Sequence, residues 1–98
     1  MNKFIITQNG TLVFGDVHLH RDLIPEGDDT CHGGGFWTID NQCGITLLYG
    51  RSFDFGAPEF QFLKNIDEIS LPASLGYPIF YKREFAGEEI LEPVITNQ

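Results

Sequence analysis

The alternation of apolar and polar residues at the start of the chain predicts a β-hairpin. Lys3 to Thr7 is rich in β-branched and apolar residues, and Asn9-Gly10 favours a tight type I′ turn. Alternation resumes immediately after this turn and continues from Thr11 to His20. Because side chains alternate between the two faces of a strand, we expect His18 and His20 to lie on the same face.

A second hairpin is predicted in the middle of the chain. The triple glycine Gly33, Gly34 and Gly35 leads into the alternating run from Phe36 to Asp40. A polar turn follows, and then a second run of β-forming residues from Ile45 to Tyr49. In this arrangement, the triple glycine and the loop that follows Gly50 lie at the same edge of the hairpin.

The last third of the chain has weaker patterns. Pro58 to Asp67 has partial helical spacing of its apolar residues and a proline suited to the first turn, which predicts one helix. Strands are predicted at Ile79 to Phe85 and at Ile90 to Ile95, where Pro93 favours an edge position. The predicted fold is therefore a single α+β domain over residues 1–98, with a mixed sheet of five or six strands and one or two packed helices.

Composition excludes several classes of function. The 98 residues carry 14 Asp and Glu against six Lys and Arg, a formal net charge of −8. Such an acidic chain is a poor candidate for binding nucleic acid or an anionic membrane, because both require a basic surface. Two cysteines and three histidines show no metal-binding spacing, and no apolar run suggests a membrane span or signal peptide. We therefore expect a cytoplasmic domain without a metal site.

The chemistry suggested by the residues themselves is anion binding. Glycine leaves backbone amides accessible, and Gly33, Gly34 and Gly35 are predicted to lie near Arg51 and Ser52. These groups together are suited to hold a small anion. An alternative is that the three glycines only allow close strand packing or a β-bulge.

The central stretch resembles the janus/ocnus family, which includes the phosphohistidine phosphatases. The resemblance rests on Cys31-His32-Gly33-Gly34-Gly35, on a strand ending Tyr49-Gly50, and on Ser52-Phe53-Asp54-Phe55-Gly56. A looser likeness extends to Lys3-Phe4-Ile5-Ile6 and to Asp16-Val17-His18. The close match covers residues 31–58.

The resemblance implies a small phosphatase that needs no cofactor. His18 takes the place of the family's catalytic histidine, with His20 as the second candidate, and Lys3 takes the place of a phosphate-binding lysine. The loop residues implied in phosphate binding are Ser52, Phe53 and Asp54, with Arg51 available to offset the charge of Asp54. The implied partner is a phosphorylated protein or a small anionic ligand.

Two rival functions remain open. The first is a non-catalytic module that binds an anionic ligand or a partner protein, which is favoured by the carboxylate of Asp54 and by Gly10 and Thr11 where the family has an arginine. The second is an acidic protein that presents its charge to a basic partner. Cys31 is more typical of a buried thiol than of a nucleophile. His32 occupies the variable position of its motif.

Overall fold

The computed structural model describes residues 2–52, 55–70 and 77–94. Seven strands lie in these ranges and form one mixed sheet in the order β5-β2-β1-β3-β4-β6-β7. The strands are β1 (Asn2–Thr7), β2 (Thr11–Asp16), β3 (Cys31–Asp40), β4 (Ile45–Gly50), β5 (Glu68–Ser70), β6 (Ile79–Phe85) and β7 (Glu88–Pro93). The helical elements are a 3₁₀ helix, His20–Leu23, and one α-helical turn, α1, Phe60–Leu63.

The predicted fold class is wrong in its balance of elements. The described residues contain seven strands rather than five or six, and a single turn of α-helix rather than one or two packed helices. The predicted helix from Pro58 to Asp67 ends after Leu63 because the chain then turns back to the sheet. The backbone N–H of Asp67 donates to the carbonyl of Gly10 over 3.1 Å, and β5 continues as a parallel partner of β2.

The first predicted hairpin is confirmed, with a different turn and a shorter second strand. β1 and β2 pair antiparallel, and the Gly10 N–H donates to the Thr7 carbonyl over 3.0 Å. Gly10 has a φ of +86° whereas Asn9 does not have positive φ, so the turn is not the predicted type I′. β2 ends at Asp16, and the chain then leaves the sheet for the 3₁₀ helix.

The central hairpin is confirmed and includes the triple glycine. β3 and β4 pair antiparallel from Asp40 opposite Ile45 to Gly35 opposite Gly50. The final strand covers Glu88–Pro93 and so begins before the predicted Ile90, while Ile95, its predicted end, lies outside the described residues. Its antiparallel partner β6 has the predicted bounds. β7 lies at one edge of the sheet, where the missing N–H of Pro93 is tolerated.

One face of the sheet carries the main core. Apolar side chains from β1, β2, β4 and β6 pack there with residues of α1 and its C-terminal flank: Phe4, Ile6, Leu12, Phe14, Leu48, Leu63, Ile66, Ile79 and Tyr81. The opposite face of β1 carries Lys3, Ile5 and Thr7, which are also buried. The 3₁₀ helix contacts β1 and β2. None of the helices in the described ranges has the length and apolar character needed to cross a membrane.

Candidate functional site

Lys3 is buried within the sheet. Only 8% of the surface of Lys3 is exposed to solvent, because β1 lies between β2 and β3 and the 3₁₀ helix packs nearby. The ammonium Nζ donates a hydrogen bond to the backbone carbonyl of His18 and lies 5.6 Å from the ring centroid of Phe36. Lys3 and Phe36 are register partners on neighbouring strands, so their side chains share a face.

His18 lies in the turn that follows β2, with its side chain exposed. The peptide group that joins this residue to Leu19 is held by two hydrogen bonds. Its carbonyl accepts the Lys3 hydrogen bond, and the next backbone N–H, that of Leu19, donates to the Asp22 carboxylate over 3.1 Å. The exposed imidazole of His18 is accessible to a ligand from solvent.

His20 points into the protein. It is 6% exposed, and its Nε2 donates to the carbonyl of Gly35 over 2.9 Å, which places the ring hydrogen on that nitrogen. Its ring meets that of Phe36 edge to face, with centroids 5.6 Å apart. The prediction that His18 and His20 share one face of a strand is wrong, because the strand ends at Asp16, and His18 is exposed whereas His20 is buried.

The triple glycine allows close packing. Along β1, Ile5 is opposite Gly34 but Thr7 is opposite Cys31, so β3 has an extra residue at this point. Gly33 lies in this bulge with a φ of +116°, which residues with a side chain rarely adopt. At Gly35, a Cβ atom would collide with the carbonyl oxygen of Tyr49.

The glycine backbone groups already have partners within the protein. The Gly34 N–H donates to the Gly56 carbonyl over 3.1 Å, and the Gly34 carbonyl accepts the Arg51 N–H over 3.0 Å. The Gly35 carbonyl accepts the hydrogen bond from His20. These bonds join the glycines to the ends of the loop after β4, and they take up the Gly34 amide that was a candidate for holding an anion.

Ser52 accepts two hydrogen bonds from described residues of the loop after β4. The Ser52 hydroxyl accepts the Phe55 N–H over 3.2 Å, and its carbonyl accepts the Gly56 N–H over 3.0 Å. The Arg51 side chain is exposed. Phe53 and Asp54, two of the predicted phosphate-binding residues, lie outside the described residues. Phe55 lines an open cavity of about 530 Å³ together with residues of the 21–29 segment.

Cys31 and His32 have structural partners. The Cys31 thiol donates to the Gly33 carbonyl at 3.7 Å, and burial raises its pKa, which leaves the thiol protonated and weakly nucleophilic at neutral pH. The His32 ring stacks on Phe62 with centroids 4.0 Å apart, and its Nε2 donates to the Gln8 carbonyl over 3.3 Å.

The fold therefore brings together part of the predicted site. Lys3, the His18 turn, the triple glycine and the start of the Arg51-Ser52 loop converge through direct hydrogen bonds and strand pairing. Phe36, which contacts both Lys3 and His20, was not predicted. The alternation of side chains along β3 predicted the face of the strand on which this ring lies. Which residues surround the ring on that face depends on the pairing of β3 with β1.

Neither metals nor known relatives identify the site further. Across residues 2–52, 55–70 and 77–94, no group of three or more His, Cys, Asp or Glu side chains is arranged to hold a metal ion. No protein-family model, curated protein or solved structure matches the chain significantly.

Proposed function

We propose that this chain is an anion-binding domain of the phosphate-binding class, with the Lys3 ammonium at the centre of its site. The observation that carries the proposal is the environment of Lys3. The residue is 8% exposed, and its Nζ has a carbonyl partner, His18, and an aromatic neighbour, Phe36. Within the described parts of the chain, no carboxylate forms an ion pair with it.

A buried ammonium without a counter-ion is energetically costly. Removing the charge from water costs several kcal/mol, and one backbone carbonyl with one aromatic ring offsets only part of this cost. An ammonium has three hydrogen-bond donors, of which the His18 carbonyl takes one. A phosphate oxygen that reached Nζ would supply the missing negative charge and accept a further hydrogen bond.

The narrower proposal is a phosphohistidine phosphatase, which rests on the sequence resemblance together with the exposed imidazole of His18. The imidazole would attack the phosphorus of a phosphohistidine, the P–N bond would break, and the leaving imidazole would take a proton from water. Hydrolysis of the phosphorylated His18 would then release phosphate. Alternatively, His18 would act as the base that deprotonates the attacking water. Lys3 and the Ser52 loop would stabilise the developing negative charge.

A non-catalytic binder of phosphorylated proteins or small anions is the second candidate. It is favoured by the number of backbone and hydroxyl groups that already have partners. The Gly34 amide donates to Gly56, and the Ser52 hydroxyl accepts from Phe55. With fewer donors directed at a transition state, binding without turnover is the expected behaviour.

The two free cysteines, Cys31 and Cys43, support the further proposal of a reducing, cytoplasmic location.

Titration with inorganic phosphate, followed by calorimetry and by amide chemical shifts, tests the binding proposal. We expect saturable binding to the wild type and a loss of about tenfold or more in affinity for Lys3→Met, since a hydrogen bond to a charged group is removed. Lys3→Met keeps an unbranched, buried side chain without the charge. The proposal fails if the wild type does not bind phosphate, or if Lys3→Met binds it equally well.

Lys82→Met is the matched control. Lys82 also lies over an aromatic ring, with Nζ 5.5 Å from the centroid of Tyr49, but it forms an ion pair with Glu89 over 2.9 Å. The hydrogen bond to this carboxylate raises the pKa of Lys82. Because its charge is already paired, we expect Lys82→Met to change phosphate affinity by less than about twofold.

Phosphate release from a phosphohistidine peptide separates the enzyme from the binder. If the protein is the enzyme, we expect the wild type to release phosphate. We expect His18→Ala to lose this turnover while it binds phosphate with unchanged affinity. Phosphate binding without any turnover would support the non-catalytic binder.

A further inference from the structure

We propose that His20 is a positioning residue that fixes the His18 turn against β3 and thereby holds the His18 carbonyl on the Lys3 ammonium. The inference rests on the proposed anion site and assigns His20 an indirect role in it. His20 would set the affinity of the site without touching the anion. This role differs from the catalytic role that the sequence resemblance implies for a histidine in this segment.

The packing around His20 fits this role. The ring is held by the hydrogen bond from Nε2 to Gly35 and by edge-to-face contact with Phe36. Its Cδ2 atom lies 2.9 Å from the position of a Cβ built on Gly34, so the ring occupies the space that a side chain at Gly34 would need. The triple glycine thus provides both the acceptor and the room for this histidine.

The same contacts determine where the turn lies. His20 begins the 3₁₀ helix, and the residue two positions before it presents its carbonyl to Lys3. At the other end of the helix, Leu23 contacts Gly15 of β2 so closely that a Cβ there would lie 2.6 Å from Leu23 Cδ2. Loss of the Gly35 hydrogen bond would therefore release the N-terminal end of the helix, which is the end that carries the Lys3 contact.

His20 is poorly placed for direct acid–base chemistry. A general acid or base must come within about 2.6–3.2 Å of the proton that it transfers. The Nε2 of His20 already donates to a backbone carbonyl, and only 6% of the residue is exposed. His18, by contrast, exposes its ring and contributes its backbone to the Lys3 contact.

Substitutions that keep or remove the Nε2 donor test this inference. The amide nitrogen of His20→Gln lies near the position of Nε2 and can still donate to Gly35, whereas His20→Leu has no donor and His20→Asn is too short. We expect the Gln variant to bind phosphate within about threefold of the wild type, and the Leu and Asn variants about tenfold more weakly. Equal affinity in all four proteins would overturn the inference.

Chemical acetylation of the Lys3 side chain, measured by mass spectrometry, gives a readout that does not depend on phosphate. We expect faster acetylation in the Leu and Asn variants, because the released turn exposes the amine, and a wild-type rate in the Gln variant. If the wild type binds no phosphate, the proposed function fails, while the acetylation rates still support or overturn the role of His20. Unchanged rates in the Leu and Asn variants would overturn it.

His32→Leu is the control for the loss of an imidazole donor elsewhere. The His32 ring also donates to a backbone carbonyl, that of Gln8, but it stacks on Phe62. We expect no change in Lys3 acetylation in this variant. The wild type can also turn out to hydrolyse phosphohistidine. In that case, a His20→Gln variant that binds phosphate normally but has lost turnover would show that His20 itself transfers protons. This result would overturn the positioning role.

Discussion

At the scale of single residues, the proposed site depends on the burial of Lys3, which is 8% exposed. Lys3 precedes three apolar residues that favour a buried strand, but lysine itself is rarely buried. It is buried because β1 is an interior strand, next to β2 on one side and β3 on the other. His18 and His20 are two positions apart, yet His18 is exposed whereas His20 is buried, with 6% of its surface exposed.

The closest approach in the candidate site gives a prediction on stability. Gly35→Ala places a methyl group against the Tyr49 carbonyl of the neighbouring strand, and backbone atoms cannot move away as easily as a side chain. We expect a loss of about 3 kcal/mol in the free energy of unfolding, measured by urea denaturation.

Gly44→Ala is the comparison for this prediction. Gly44 has a φ of +68° but no heavy atom within 4 Å of an added Cβ, so only backbone strain opposes the substitution. We expect this change to cost about 1 kcal/mol. The account of the triple glycine would be wrong if Gly35→Ala were the milder of the two.

At the scale of secondary-structure elements, hairpins were easier to predict than the helix. The pairs β1–β2, β3–β4 and β6–β7 each join neighbouring strands through a short turn, and their signals are local. The helical spacing after Pro58 was only partial, and four residues are helical there. Beyond the helix, Ile69 lies in β5 and is the parallel register partner of Leu12 in β2.

The short helix still has a stabilising role through one side chain. Leu63 is 1% exposed and packs in the main core. We expect Leu63→Ala to lower the free energy of unfolding by about 2–4 kcal/mol, from lost burial and the cavity that remains. Gln61→Ala, at an exposed position of the same turn, is expected to change it by less than about 0.5 kcal/mol. Equal effects in urea denaturation would mean that α1 does not pack as described.

At the scale of the whole molecule, the charge of −8 contrasts with the cationic centre proposed for the site. Long-range repulsion acts on any approaching anion, whereas the Lys3 ammonium acts at hydrogen-bond distance inside the fold. The net charge thus argues against a broad basic surface, while a single local anion site remains compatible with it.

The net charge also gives a prediction on salt dependence. Raising NaCl from about 0.02 to 0.3 M shortens the screening length and weakens self-repulsion, so we expect a rise in Tm of about 3 °C, equivalent to roughly 0.5 kcal/mol for a domain of this size. The same experiment near pH 4.5, close to the isoelectric point of the sequence, is the control and should show little change. A fall in Tm at neutral pH would contradict this account.

The order of the strands could not be predicted from the pattern of residues. β5 pairs in parallel with β2, and β6 pairs in parallel with β4. In each pair, other segments of the chain lie between the two strands in sequence. The choice depends on which apolar faces pack together, such as Phe14 against Trp37, whose rings meet edge to face at 5.6 Å. Such contacts lie far apart along the chain and leave no local signal.

The sequence by itself determined the local units: the strands that pair with their neighbours across short turns, and the candidate residues for the proposed anion site. These follow from side-chain alternation and turn residues, which act over a few positions. Only the tertiary structure decided that Lys3 is buried and forms no ion pair with a carboxylate of the described residues, and that His20 bonds to Gly35 while His18 faces solvent. The reason is physical: burial and hydrogen-bond partners depend on which strands lie side by side, and that choice is made by packing across the whole chain.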